Sequence, residues 1–261
     1  MSWFHTRSTE NMDEIERRDD DALIALSQVV KRFKNAAGEY TVLKGIDLTI
    51  REREFVSIVG RSGSGKSTLL NMITGIDHPT SGMVRVDGAY LHQMDEGAMA
   101  VWRGKHMGIV FQFFQLLPML TLLENVMLPM DFCDMYAPEE REKRALELLK
   151  MVDLQGLEHK YPPAVSGGQQ QSAAVARALA NDPPILIADE PTGNLDSRTA
   201  ERVLEIFEEQ VAAGKTVLMV THDDGLARRA ARKLVISDGE IIGSENGSRG
   251  KLHAAEAGRA A

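Results

Sequence analysis

The sequence lacks paired cysteines, an excess of basic charge and any long apolar run. Its 261 residues include one cysteine, Cys133, so no internal disulfide can form and a disulfide-stapled fold is excluded. The net charge is −8, from 38 acidic and 30 basic residues. A protein that binds nucleic acid without sequence preference needs a basic surface, so we expect no nucleic-acid partner. The reducing cytoplasm is the expected compartment.

A transmembrane helix is also missing, because such a helix needs about 20 mostly apolar residues. The nearest candidate, residues 113–130, is interrupted by polar residues and prolines, so it is expected to be core or a partner-facing surface. The N-terminal residues are rich in charge and contain no continuous apolar stretch, which excludes a secretory signal. If the protein works at a membrane, another chain must hold it there.

What the sequence does have is enough apolar material for a core, at 43% hydrophobic residues. Short β-rich runs alternate with helical patterns, which predicts an α/β domain with a largely parallel core sheet. Residues 121–180 contain no convincing strand, so we expect a helical subdomain, at about 113–180, inserted into that core. The predicted bounds are a polar tail at 1–24, one domain at 25–243 and a polar tail at 244–261. The strand candidates are residues 29–33, 46–50, 55–59, 83–86, 108–111, 185–188, 217–221 and 234–237.

Residues 60–68 match the pattern G-x-x-x-x-G-K-[ST] between an apolar strand and a helical run. The glycines let the backbone curl so that its amide groups point at phosphate oxygens, and the helix N-terminus adds positive field. Lys66 supplies a charge between the β and γ phosphates, and the Ser67 hydroxyl can ligate Mg²⁺. A glycine-rich turn with a solvated lysine is the disfavoured alternative. The predicted nucleotide loop consists of Gly60, Arg61, Ser62, Gly63, Ser64, Gly65, Lys66, Ser67 and Thr68.

Two carboxylates, Asp189 and Glu190, follow a second apolar strand candidate at the sheet edge where α/β proteins place their chemistry. Asp189 suits a Mg²⁺ contact, while Glu190 can polarise the water that attacks the γ-phosphorus. An isolated acidic pair is often only a solvated turn, but here a phosphate loop precedes it in the same chain. A third segment, Ser166, Gly167, Gly168 and Gln169, begins a helical run and could bind an anion, although alone it would be only an N-cap.

In this order along the chain, the segments resemble the motifs of the ATP-binding cassette subunits of ABC transporters, over about residues 25–243. Residues 60–68 resemble the Walker A loop, residues 185–190 the Walker B strand, and residues 166–169 the family signature. Gln112 resembles the Q-loop glutamine, Asp196 lies in a segment similar to the D-loop, and His222 resembles the switch histidine. The resemblance implies a P-loop NTPase core with a mostly parallel sheet, an antiparallel β subdomain and the inserted helical subdomain.

The resemblance also implies how the site works. ATP would be sandwiched in a head-to-tail dimer, between the Walker motifs of one chain and the signature of the other, with Asp196 among the nucleotide-binding residues. Catalysis would rest on Glu190, His222, Gln112 and Lys66. The Mg²⁺ ligands would be Ser67, Gln112 and Asp189, and Gln112 would relay the nucleotide state to a membrane subunit. The adenine base would stack on Phe33, where the family often has tyrosine. Tyr40 is the other candidate, and either ring could instead be core.

The implied partners are a second cassette, expected to be an identical chain, and an integral membrane permease on a separate chain. The implied location is the cytoplasmic face of the inner membrane. Residues 111–118 and 189–197 are similar to the branch that contains LolD, MacB and FtsE, whose members serve export, extraction or mechanical transmission. An FtsE-like regulatory ATPase and a cassette ATPase without a transport role remain alternatives. Two interpretations of the apolar residues after Gln112 stay open: they dock a coupling helix, or they form subdomain core.

Two positions depart from the family pattern. Val165 stands where leucine is usual before the signature, which is a mild change. Ser172 stands where arginine usually follows the signature glutamines, which removes a positive charge from the first turns of that helix. We therefore predict weaker binding of the nucleotide by the signature, or weaker pairing at the dimer interface, and slower turnover than in typical members.

Overall fold

The computed structural model describes residues 22–36, 38–193 and 195–246. Two sheets and the helices around them build this part of the chain. One sheet has four antiparallel strands in the order β2-β1-β4-β5, and the other has six strands in the order β10-β9-β3-β8-β7-β6. The first comprises β1 (Ile24–Asn35), β2 (Gly38–Ile50), β4 (Ser81–Val86) and β5 (Ala89–Tyr90). The second comprises β3 (Phe55–Val59), β6 (Met107–Val110), β7 (Ile185–Asp189), β8 (Thr216–Thr221), β9 (Arg232–Ser237) and β10 (Glu240–Asn246).

Helices surround the six-stranded sheet and fill the segment between β6 and β7. They are α1 (Lys66–Thr74), α2 (Glu96–His106), α3 (Leu122–Phe132), α4 (Pro138–Met151), α5 (Gly167–Ala178), α6 (Ser197–Ala212) and α7 (Asp224–Ala227). Short 3₁₀ turns at Leu91–Gln93 and Pro162–Ala164 complete the described elements. Among the residues described, no helix is both long enough and apolar enough to span a membrane.

The strands β3, β6, β7, β8 and β9 run parallel, and only β10 at the edge is antiparallel. Each face of this sheet packs against a different layer. Ile185 and Ile187 of β7 belong to the core shared with α1 and the antiparallel sheet. Leu186 and Ala188 belong to the core shared with α3, α4, α5 and α6. Burial on both faces explains why the central strands β3, β7 and β8 are nearly continuous apolar runs in the sequence.

The helices α3, α4 and α5 pack on one another and form the inserted subdomain. Local sequence signals set their N-termini. Thr121 and Glu124 form a capping box at α3, Pro138 occupies the first turn of α4, and Ser166 and Gln169 form a capping box at α5. Each arrangement satisfies or removes backbone donors that a helix start leaves unpaired.

The predicted α/β fold class is confirmed, and differences lie at the ends of elements. The predicted tails include strand residues, since β1 begins at Ile24 and β10 continues to Asn246. Ala22 and Leu23 are buried beside β1. The rest of both predicted tails, residues 1–21 and 247–261, lies outside the described residues. The strand β10 was not predicted, because its glycine, serine, glutamate and asparagine have low β propensity and it is ordered by pairing with β9.

Candidate nucleotide site

The phosphate loop connects β3 to α1 in a conformation that requires glycine at two positions. Gly63 and Gly65 have φ values of +77° and +102°. A Cβ atom at Gly65 would also lie 3.1 Å from Leu43 Cδ2, so both backbone conformation and space exclude a side chain there. Lys66 is only 8% exposed, and its Nζ donates to the carbonyl oxygens of Gly60 and Arg61, each at 2.9 Å. The lysine is therefore held across the loop that it follows.

A cavity of about 620 Å³ lies over this loop, which is within the range of small-molecule sites. It brings together residues from both sheets, from the loop and from the ends of β7 and β8. Its lining residues are Phe33, Tyr40, Val42, Ser62, Gly63, Gly65, Lys66, Ser67, Thr68, Gln112, Asp189, Glu190 and His222. Val42 is the lining residue that sequence reasoning missed, although it lies two positions from Tyr40 and therefore on the same face of β2.

Ser67 and Asp189 form the polar floor of the cavity. The Ser67 hydroxyl donates to Asp189 Oδ2 at 2.9 Å. Burial raises the pKa of Asp189, the hydrogen bond from Ser67 lowers it, the charge of Glu190 raises it, and the charge of Lys66 lowers it. The net pKa is raised, so this carboxylate is destabilised in its charged form. Hydroxyl and carboxylate oxygens are the ligands that Mg²⁺ prefers, and this donor set fits that ion.

Because burial penalises the charge of Asp189, we expect Asp189→Asn to stabilise the nucleotide-free protein at neutral pH. The expected rise in midpoint temperature is about 2–4 °C, the change that about 1 kcal/mol makes in a domain of this size. A raised pKa means that Asp189 takes up its proton at a higher pH than an ordinary aspartate, so the variant's advantage shrinks as the pH falls. Calorimetry from neutral pH down to about pH 4 measures both effects.

The exposed carboxylate of Asp153 offers the control. Asp153→Asn should change the free energy of unfolding by less than about 0.5 kcal/mol, as is usual at surface positions. An Asp189→Asn variant that is less stable than the wild type at neutral pH contradicts the expectation.

Glu190 is held between two polar side chains at the end of β7. Gln112 Nε2 donates to Glu190 Oε2 at 3.2 Å, and His222 Nδ1 lies 3.1 Å from Glu190 Oε1. The glutamate side chain is 19% exposed and the histidine side chain 67% exposed. Glu190 has a φ of +46°, a left-handed conformation that is strained for a residue with a side chain and is most often found at functional sites. Its amide donates to Val220 O at 2.9 Å, which anchors it to β8.

The residues similar to the family signature lie outside this cavity. Ser166 Oγ accepts from the Gln169 amide at 3.2 Å, and Gln169 Oε1 accepts from the Ser166 amide at 2.9 Å. Ser166 and Gly167 are exposed at the start of α5. Asp196 caps α6, and a Cβ atom at Gly168 would lie 3.8 Å from Asp196 Oδ2. The signature and Asp196 thus neighbour each other on a surface apart from the phosphate loop.

Phe33 and Tyr40 face each other across the β1–β2 hairpin. Their ring centroids are 5.9 Å apart, and both rings line the cavity. The Lys31 ammonium lies 4.9 Å from the Phe33 centroid, and it also pairs with Asp77 at 2.6 Å. The structure therefore places both candidate rings at the cavity. Ser172, the departure on α5, is 8% exposed, and its predicted effect on turnover stays a prediction.

Comparisons with known proteins agree with this geometry. Residues 43–193 match the family model described as ABC transporter. The chain is 47% identical over 224 residues to the uncharacterized ABC transporter ATP-binding protein MJ0796 of Methanocaldococcus jannaschii, covering 84% of this chain and 95% of that protein. It is 43% identical to the lipoprotein-releasing system ATP-binding protein LolD of Bacteroides fragilis, covering 84% of this chain and all of LolD.

A longer relative and a solved structure complete the comparison. The chain is 44% identical to the macrolide export ATP-binding/permease protein MacB of Bartonella henselae, of which it spans 34%. A solved dimeric structure of MJ0796 in a post-hydrolysis state, bound to ADP and Pi, aligns with a TM-score of 0.82 at 45% identity. The alignment covers 85% of this chain and 98% of that one.

Proposed function

The chain belongs to the ABC transporter family, as an ATP-binding subunit that hydrolyses ATP, and on this premise we propose that it acts as one of two cassettes that power a membrane permease. The observation that carries this proposal is the divided site. The cavity holds the phosphate loop, the carboxylates and the aromatic pair, whereas the signature residues lie exposed elsewhere on the same chain. A second copy, docked head to tail, would bring its signature to the cavity. The relative MJ0796 is dimeric in its solved structure.

In the proposed ATP complex, each part of the cavity takes one part of the nucleotide. The amides of the phosphate loop and the N-terminus of α1 bind the β and γ phosphates, and Lys66 turns its ammonium from loop carbonyls to phosphate oxygens. The base stacks on Phe33, with Tyr40 beside it. Ser67, Asp189 and Gln112 would hold Mg²⁺, which when bound neutralises charge on the phosphates.

Glu190 is the proposed general base for hydrolysis. Its carboxylate accepts a proton from water as the water oxygen attacks the γ-phosphorus and ADP leaves. Gln112 and His222 fix the two carboxylate oxygens from opposite sides, so the base is oriented before the nucleotide arrives. His222, being largely exposed, is free to contact the γ-phosphate once the second cassette closes the site.

The proposed membrane partner is a separate permease, at the cytoplasmic face of the membrane, as in the LolD and MacB branch. An exposed apolar set after Gln112 supports this, since Phe113 is 70%, Leu117 39% and Met119 72% exposed, whereas Phe114 and Leu116 are partly buried. The apolar residues after Gln112 therefore form two groups. The three exposed residues form the proposed docking face, and Phe114 and Leu116 pack in the helical subdomain. An FtsE-like regulatory role would use the same docking face. Isolation of the complex from detergent-solubilised membranes distinguishes the transport role from the regulatory role, because the membrane protein that copurifies differs.

Cross-linking tests the divided site directly. We expect a disulfide between Ser62→Cys of one chain and Ser166→Cys of the other, because the head-to-tail arrangement joins phosphate loop to signature. The variant carries both cysteines, Cys133→Ala to remove the native thiol, and Glu190→Gln to hold ATP. A non-reducing gel should show a dimer band with Mg-ATP and little without nucleotide.

The two single-cysteine variants are the matched controls. A chain with only Ser62→Cys or only Ser166→Cys has its thiol far from the same thiol of its partner and should give no comparable band. Cross-linking that is independent of ATP, or that is equally strong in a single-cysteine control, contradicts the head-to-tail arrangement.

A further inference from the structure

Arg177, in the last turn of α5, binds the backbone that follows Gln112. Its Nη2 donates to the carbonyl oxygen of Phe114 at 2.8 Å, and its Nη1 donates to the carbonyl oxygen of Gln115. The guanidinium fork suits two adjacent carbonyls, whereas an ammonium has no such planar geometry. Gln115 has a φ of +55°, so this short segment includes a strained residue that the arginine helps to hold.

The same segment also contacts the opposite end of α5. A Cβ atom at Gly167 would lie 3.6 Å from Phe114 Cζ, which places the Phe114 ring against the first residue of that helix. Further along, the buried Asn125 bonds to both backbone groups of Leu117 and to the carbonyls of Leu120 and Thr121. The backbone after Gln112 is therefore attached to the helical subdomain, while the Gln112 side chain reaches Glu190 in the core.

Arg177 is partly buried, and among the described residues no ion pair offsets the cost of removing its charge from water. Burial lowers the pKa of Arg177, and no carboxylate in the described ranges lies within ion-pair distance of it. A purely apolar residue of similar volume would pack in such a position without the desolvation penalty. What the guanidinium adds, and an apolar residue could not, is the pair of hydrogen bonds to the carbonyl oxygens of Phe114 and Gln115.

We propose that Arg177 is a positioning residue for Gln112. It fixes the segment that carries Gln112 to α5, so that the amide meets Glu190. The signature residues begin α5. In the proposed dimer they enter the partner's ATP site, so a movement of α5 would move both Gln112 of one ATP site and the signature at the other. The inference rests on the proposed role of Gln112 in hydrolysis.

Arg144 provides a matched control within the same subdomain. It lies on α4, and it donates to the carbonyls of Leu179 and Ala180 just beyond α5. Arg144→Met and Arg177→Met each remove one guanidinium and two carbonyl contacts, but only the second touches the Gln112 segment. Arg144→Met also removes a 3.8 Å contact with Asp182 and a cation–π contact with Tyr136, so it should lower the midpoint temperature at least as much as Arg177→Met.

The kinetic constants should separate the two variants. A displacement of about 1 Å at a catalytic group can cost about 100-fold, so we expect Arg177→Met to lower kcat by about 10- to 100-fold with its Kd for ATP within about threefold of wild type. Arg144→Met should keep kcat within about threefold, as expected for a change remote from the reacting atoms. Equal kcat values in the two variants would overturn the proposal.

A double-mutant cycle keeps the test valid if Arg177→Met does not fold. Arg177→Lys keeps the charge and loses the fork, so it should lower kcat in the wild-type background but by less than about twofold further in Gln112→Ala. Equal losses in both backgrounds overturn the positioning role and leave the proposed function intact. A Gln112→Ala variant with wild-type kcat overturns both the role of Gln112 and the inference built on it.

Discussion

We expect the replacement of Glu190 by glutamine to lower ATP turnover by about 10²- to 10⁴-fold, the range typical of losing a general base, and to leave a persistent ATP-bound dimer. Glutamine has nearly the same shape, so Gln112 and His222 keep their neighbour and the cavity keeps its volume. What is lost is the ability to accept the proton of the attacking water. In the proposed cycle, ATP binding and dimer formation precede that step, so both should continue, while the dissociation that follows hydrolysis should fail.

Steady-state phosphate release measures the turnover, and size-exclusion chromatography with Mg-ATP measures the dimer. Glu139→Gln, which changes an exposed carboxylate in the first turn of α4, is the matched control and should behave as wild type. Turnover of Glu190→Gln within about tenfold of wild type would remove Glu190 from the role of general base. A monomer that fails to associate under the same conditions would instead challenge the proposed dimer.

The local parts of this site could be predicted from the sequence because each depends on neighbours in the chain. The loop before Lys66 requires glycine where the backbone has positive φ, and the capping box from Ser166 to Gln169 is a four-residue pattern. The strand that delivers Asp189 and Glu190 is buried on both faces, so it is a continuous apolar run in the sequence. These three signals can be recognised in the sequence without any knowledge of the tertiary structure.

Contacts between distant segments could not be predicted in the same way. The bonds from Arg177 join residues more than 60 positions apart, and no residue type near either end marks them. The strand β10 is ordered by pairing with β9, because its two isoleucines are followed by glycine, serine, glutamate and asparagine, which have low β propensity. The approach of Tyr40 to Phe33 follows from hairpin register, including irregularities that a sequence pattern does not show.

The position of the signature has the greatest consequence for function. A sequence lists Ser166 and Lys66 in one chain and leaves open whether they share a site. In the structure the N-terminus of α5 is exposed and lies outside the cavity that contains Lys66. In the proposed dimer, each cassette would supply its signature to the partner's cavity and receive the partner's signature at its own, so turnover should depend on association as well as on chemistry.

Lys66→Met should weaken ATP binding by about 10²- to 4 × 10³-fold, because removing one partner of a buried charge pair costs about 3–5 kcal/mol and each 1.4 kcal/mol is tenfold. Methionine fills the same space, so the loss comes from the charge. The ammonium already lies over the loop, where it donates to the carbonyl oxygens of Gly60 and Arg61, and phosphate oxygens would replace these acceptors. Inorganic triphosphate should lose affinity by a similar factor, because Lys66 acts on phosphates and not on the base.

Isothermal titration with ATP and with triphosphate measures both losses. Lys44→Met is the matched control, since Lys44 is an exposed lysine on β2 next to Leu43, which packs against the loop. Lys44→Met removes the same charge, but Lys44 does not line the cavity. The affinity of this variant for ATP should therefore stay within about threefold of wild type. If the two variants lose affinity equally, the effect belongs to overall charge. If triphosphate binding survives Lys66→Met while ATP binding falls, the lysine stabilises the fold around the base and is not the phosphate ligand.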